Sequence, residues 1–409
     1  MSNPVRIQHV KELRTPEAVR ERCSELLQIG INGDLPWFEL NLAKLDIVSD
    51  LVITEMQHKY PNLEVPFHSR WRHFELAGRD LWKECANRSE LEGLDRMVAA
   101  GDLAIVSVLL DAGAGPNWRY RDAESGLSFA RSEGLAIASL RLFEAGFFSA
   151  DPENPLRVDA GALQAITEIS LSNAMQVSEK NVLVGLKERA NLLQRLGEVI
   201  SSRQKTFEYR GNLRPGHLLL ALTDKGPLPA RNILVAILEN LSDIWPSPNL
   251  LDGVKLGDVW KHSRLRRQNA TDNLVPFHKL SQWLAYSLIE PIEDGGTVVC
   301  EIDGLTGLGE YRNGGLFIDT GVIIPKDPTL FIKKFKPEAE EIVEWRALTV
   351  ALLDRVAHKV RTSIGLSIEQ LPLASVLEGG TWSAGRQIAA KLRSDGAPPI
   401  QLDSDATVF

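Results

Sequence analysis

The stretch from Val275 to Pro325 changes its hydrophobic period twice, and any fold for this chain must accommodate both changes. It reads VPFHKLSQWLAYSLIEPIEDGGTVVCEIDGLTGLGEYRNGGLFIDTGVIIP. In its first part Lys279, Gln282, Tyr286 and Glu290 recur near one stripe of a helix. Pro291 and the Glu293-Asp294-Gly295-Gly296 run predict the end of that helix. Thr297 to Ile302 is β-branched and apolar, Gly304 to Gly315 holds five glycines, and Leu316 to Ile324 is apolar again. Asp319-Thr320-Gly321 interrupts this second run. A carboxylate inside an apolar strand or turn is costly to bury unless a partner is supplied. Lys279, on the preceding helix, is the cation expected to supply it. The plainer reading is a strand-end Asp that bonds to its own turn.

The rest of the chain frames that stretch with helices. Thr15-Pro16-Glu17 opens one well, with a Thr cap, Pro at the first turn, and an apolar stripe through Val19, Cys23, Leu26 and Leu27. Residues 41–60 read as a second helix. VPFHSRWRHFELAGRDLW is basic and aromatic together; it reads as an anion contact or, more plainly, as an amphipathic helix with solvated arginines. GDLAIVSVLLDAGAGPN resembles half an ankyrin repeat, but such arrays need further copies and none is present, leaving two short helices and a turn. His262 to Arg267 reads as a solvated basic patch. Residues 337–361 carry the clearest helical pattern, with acidic residues in the first turn. No low-complexity linker divides the 409 residues. The expectation is one compact family domain over 1–409, mainly α, with a small β element near 296–325. If the chain subdivides, the division expected is an N-terminal helical part at 1–150 and a catalytic part at 151–409.

Composition narrows the function classes. Net charge is −8 with no long basic run, which argues against a nucleic-acid partner, since phosphate binding needs clustered Lys and Arg. The three cysteines are far apart and form no C-x-x-C, and the eight histidines form no ligand box. No catalytic metal, cofactor or disulfide framework is therefore expected. The longest apolar runs are too short to span a bilayer, and the opening residues have no signal core. A soluble, cytoplasmic protein with no membrane partner is the expectation. Asp319-Thr320-Gly321 matches the aspartic-protease triplet, yet that chemistry needs two carboxylates sharing a proton and an all-β frame. The glycine-rich run lacks the βαβ pattern of a dinucleotide site, and no P-loop is present.

Four phrases resemble a known family: GLGEYRNGGLFIDTGVIIP, EWRALTVALLD, GGTWSAGRQIA and the tail ending Thr407-Val408-Phe409. They are similar to the uracil-catabolism family of formally unknown function, found in fungi and bacteria beside a cyclohydrolase-like enzyme that opens the pyrimidine ring. More distantly, three phrases resemble the queuosine-salvage nucleoside glycosylases, whose fold is like that of helix–hairpin–helix DNA glycosylases. These phrases are His278-Lys279-Leu280-Ser281-Gln282, Leu316-Phe317-Ile318-Asp319 and Glu344-Trp345-Arg346-Ala347. The chain departs from those glycosylases at Thr320-Gly321, where they carry a tyrosine and an arginine.

Together the resemblances imply an N-glycoside hydrolase in pyrimidine catabolism that cleaves ribosylurea or its 5′-phosphate, a small nucleoside-like substrate. Asp319 would stabilise the oxocarbenium-like state and Lys279 would orient it. His278, Gln282, Tyr286 and Glu310 are candidate contacts to ribose or urea, with Arg312 and Arg346 for a phosphate. For Glu344 and Arg346 a structural ion pair is an equally good expectation. The rival readings are a phosphoribosyltransferase-like enzyme of uracil metabolism and a non-enzymatic pathway scaffold or regulator.

Overall fold

A computed structural model describes residues 4–111, 113–223, 226–245, 247 and 249–403; the Thr407-Val408-Phe409 ending lies outside them. The chain is mainly helical, and its strands are two or three residues long and paired two by two. It divides into two compact units that are discontinuous in sequence, so no single cut separates them. One is drawn from Met1–His68, Ser247–Gln282 and Glu301–Ser404, the other mainly from Ser69–Pro246 and Trp283–Cys300.

In the first unit the helix Glu340–Ile364 is the longest element, with Glu340 and Glu341 at its start, where the helix dipole favours anions. Its buried face runs through Ile342, Trp345, Leu352 and Val356 and packs on the helices Pro16–Ile31, Leu45–Lys59 and Tyr311–Asp319. Thr15 caps Pro16–Ile31 by accepting from the Ala18 amide, as the sequence predicts. Phe38–Leu40 pairs antiparallel with Ile323–Pro325, which places part of the expected β element. The segment before it differs from the strand expected there. Residues 316–319 are the end of the helix Tyr311–Asp319, and Thr320 is its C-cap. Gly321, at φ +72°, donates to the Ile318 carbonyl, and Val322 donates to that of Phe317. This pair of bonds is the Schellman closure, which needs a left-handed residue where glycine sits. A short apolar run does not distinguish strand from buried helix by period alone.

The second unit centres on Gly93–Leu110, one helix of 18 residues in place of the two short ones expected. It is buried on almost every side and packs on Arg131–Glu144 and Leu186–Ser202. Pro291 does not end its helix, which runs Lys279–Asp294. A proline cannot donate to the carbonyl one turn back. Here that carbonyl, on Ser287, accepts from the Trp71 indole Nε1 at 2.7 Å. The basic-aromatic segment is a short 3₁₀ turn, Arg70–Phe74, whose Arg70 is fully buried instead of solvated. Arg70 donates to Ser107 Oγ at 2.6 Å and pairs with Asp111 at 3.0 Å.

Candidate functional site

The residues singled out by sequence fall into separate polar clusters of the first unit, apart from Tyr286, which is buried in the second unit. Asp319 is the last residue of its helix, an end where the dipole disfavours a carboxylate. Its side chain is only 4% exposed. Arg393 answers that cost with a two-pronged pair, Nη1 to Oδ1 at 2.9 Å and Nη2 to Oδ2 at 2.5 Å. The expected Lys279–Asp319 pairing is therefore corrected: the carboxylate's cation lies 74 residues downstream, just after the helix Trp382–Leu392. That helix lies so close to Tyr311–Asp319 that a methyl at Gly385 would collide with the Arg312 carbonyl oxygen. Arg312 reaches the same segment, donating to the Gly396 carbonyl at 2.8 Å. Glu310 is committed to capping its own helix, accepting from the Arg312 and Asn313 amides at 2.7 and 2.5 Å.

His278, Lys279 and Arg346 meet instead on Asp258, which sequence reading passed over. Asp258 takes both terminal nitrogens of Arg346, at 2.7 and 2.8 Å, and the Lys279 amide at 2.9 Å. Its own carbonyl accepts from the Phe277 and His278 amides. The Arg346 guanidinium stands 4.1 Å over the Phe277 ring. Burial drives the Asp258 carboxyl upward, but Arg346 outweighs it and leaves the group below its ordinary value. His278, at φ +49°, donates from Nε2 to the Leu13 carbonyl at 2.9 Å, and burial lowers its pKa. Gln282 donates to Thr306 Oγ1 at 2.8 Å. Glu344 is fully buried, accepting from the Trp37 and Phe38 amides at 3.1 and 2.9 Å and lying 2.8 Å from His262 Nε2. His262 is thus core, not the solvated patch expected. Asp258 was findable: it is a lone acid among Leu256, Val259 and Trp260, the same signal that marked Asp319.

A further buried acid, Glu378, lies on a π-helical turn, Leu377–Thr381, within the GGTWSAGR phrase. Its Oε1 accepts from Lys59 Nζ at 2.5 Å and Tyr60 OH at 3.2 Å, and Oε2 lies 2.9 Å from His68 Nδ1. Burial pushes its pKa up, yet His68 and Lys59 overcome it and hold the carboxyl at about 2. Among the described residues, no group of three or more His, Cys, Asp or Glu is arranged to hold a metal ion, and no helix is long and apolar enough to cross a membrane.

Over residues 12–409 the chain matches the family described as "Protein of unknown function (DUF1688)". It is 38% identical over 408 residues to "Protein urg3" of Schizosaccharomyces pombe, covering 98% of this chain and 99% of that protein. It is 35% identical over 438 residues to "Uracil catabolism protein 4" of Lachancea kluyveri, with 98% and 99% covered.

Proposed function

This chain belongs to the DUF1688 family, and on that premise we propose that it acts in uracil catabolism as an N-glycoside hydrolase, releasing urea from ribosylurea or its 5′-phosphate. The name of the Lachancea kluyveri relative supports the pathway. The observation that carries the chemistry is Asp319. It is a nearly buried carboxylate at the unfavourable end of a helix, and among the described residues one guanidinium donates to both of its oxygens. In the reaction the bond between C1′ and the urea nitrogen breaks, and its electron pair leaves with nitrogen. Water then delivers hydroxide to C1′ and a proton to the urea. The positive charge that develops on the sugar is what a fixed carboxylate stabilises. Arg393 is a positioning residue, taking the role that sequence reading assigned to Lys279. Two carboxylate lone-pair sites are used by Arg393, and a carboxylate has about four, so Asp319 keeps the capacity to face a substrate.

The test is urea release by purified protein from ribosylurea and from its 5′-phosphate. Asp319→Asn keeps shape and loses charge, so kcat per folded molecule falls by about 10²–10³. A folded Asp319→Asn protein that releases urea at the parent rate would falsify the mechanism.

A further inference from the structure

The second unit contains a cavity of about 280 Å³ beside the last turns of Lys279–Asp294. Two walls are indoles, Trp71 and Trp82, with ring centroids 5.9 Å apart and planes tilted by 45°. Both side chains are otherwise buried, at 6% and 4% exposure. A third wall is the helix end itself, which carries Glu290, Glu293 and Asp294 and no basic residue in its last turn. Three carboxylates gathered at the negative pole of a helix dipole repel both the dipole and one another. A sequence under selection for stability alone would place cations there.

The protein compensates only part of this charge. Arg72 pairs with Glu290 at 2.6 Å, and Ser69 Oγ donates to it at 2.9 Å. Burial nonetheless raises the Glu290 carboxyl above its ordinary value. Glu293 and Asp294 have no ion-pair partner among the described residues. Asp80, also on the lining, caps the Lys83 amide at 2.9 Å. Two cations border the cavity, and among the described residues neither forms an ion pair with these carboxylates: Lys83 is exposed, and the Arg96 guanidinium is turned to Asn87 Oδ1 at 2.9 Å.

We propose that this cavity binds a small organic cation, an ammonium or guanidinium head group held between the Trp71 and Trp82 rings and the carboxylates of Glu293 and Asp294. An aromatic face attracts a cation through its quadrupole, and a desolvated cation gains most. The carboxylates supply the hydrogen-bond acceptors and cancel the ligand's charge. A neutral sugar would stack on the indoles too, but it would leave the excess negative charge at the helix end uncompensated. The inference is independent of Asp319 and stands or falls without the glycosidase reading.

Putrescine, methylguanidinium and ribose are the probes. Each is titrated into the ¹⁵N-labelled full chain while the indole N–H resonances of Trp71 and Trp82 are followed, with Trp82→Phe used for assignment. Both cations shift the two resonances saturably, the affinity falls as salt is raised, and ribose leaves them in place. The double variant Glu293→Gln, Asp294→Asn binds the cations at least about tenfold more weakly. Both side chains are exposed, and removing like charges from a helix C-terminus does not unfold the protein, so its melting temperature serves as the control. Absence of a saturable shift overturns the proposal, as does a double variant that binds as tightly as the parent. Ribose shifting the same two resonances with no salt dependence also overturns it and makes the cavity a polyol site.

Discussion

Asp319 and Glu378 are buried carboxylates of the same unit, and they are held in opposite ways. Glu378 is surrounded by three different donors, Lys59, Tyr60 and His68, brought from two segments far upstream. Asp319 accepts, among the described residues, from Arg393 alone, which is itself 26% exposed. A carboxylate that accepts from several separate segments ties those elements together. One that is gripped from a single side keeps acceptor capacity for something else. Under the proposed function, the contrast is between a carboxylate that holds elements together, Glu378, and one that acts on the substrate, Asp319.

The largest expected effect beyond Asp319 itself lies with its partner. Arg393→Met should lower kcat for urea release by roughly 10- to 100-fold through misplacement of the carboxylate, with KM little changed. Arg393→Lys should recover only part of the loss, because an ammonium does not reproduce the paired geometry of a guanidinium. Lys279→Met, in contrast, should leave kcat close to the parent's. An undiminished kcat in Arg393→Met beside a loss in Lys279→Met would remove Arg393 from its role.

Glu378→Gln should act on stability instead. Removing the charge leaves Lys59 without its counter-ion and His68 Nδ1 without its carboxylate acceptor, at a cost of about 2–4 kcal/mol read by urea denaturation, with kcat per folded molecule unchanged. The pH dependence has a defined sign. The folded pKa, about 2, lies below the ordinary 4.5, so the ionised group stabilises the fold above the ordinary value. That contribution is lost as pH falls from there through about 2. The parent should therefore lose more stability than Glu378→Gln over this acid window. Parallel acid-unfolding curves for the two proteins would erase the distinction between the carboxylates.

The smallest effect is expected at the helix end that presents Asp319. Gly321→Ala forces a side chain into φ +72° and places its methyl 2.7 Å from Lys44 Nζ, at a cost of about 1 kcal/mol. The lysine tip can move aside, so the backbone conformation sets the cost. A neutral or stabilising Gly321→Ala would mean that the Schellman closure is not what fixes Asp319.

The sequence by itself determined the helices whose signals lie within a few residues of one another. Thr15 and Pro16 start one helix, and Glu340 and Glu341 with a long apolar stripe mark another. It also marked Asp319 as a carboxylate needing a partner, because an acid among Leu316, Phe317, Ile318 and Val322 is costly wherever that run packs. Tertiary structure alone decided the rest. Whether residues 316–319 form a strand or a helix end depends on their packing against Trp382–Leu392, which no local period records. Pro291 stays inside its helix because Trp71, 220 residues earlier in the chain, takes the carbonyl that the proline leaves open. The same holds for the ion pairs: the lone acids Asp258 and Asp319 are visible in sequence, but Arg346 and Arg393 are only two among many cations. Capping and periodicity act within one or two turns and are written locally. The partner of a buried charge is whichever cation packing brings within about 3 Å, and that is a property of the folded chain.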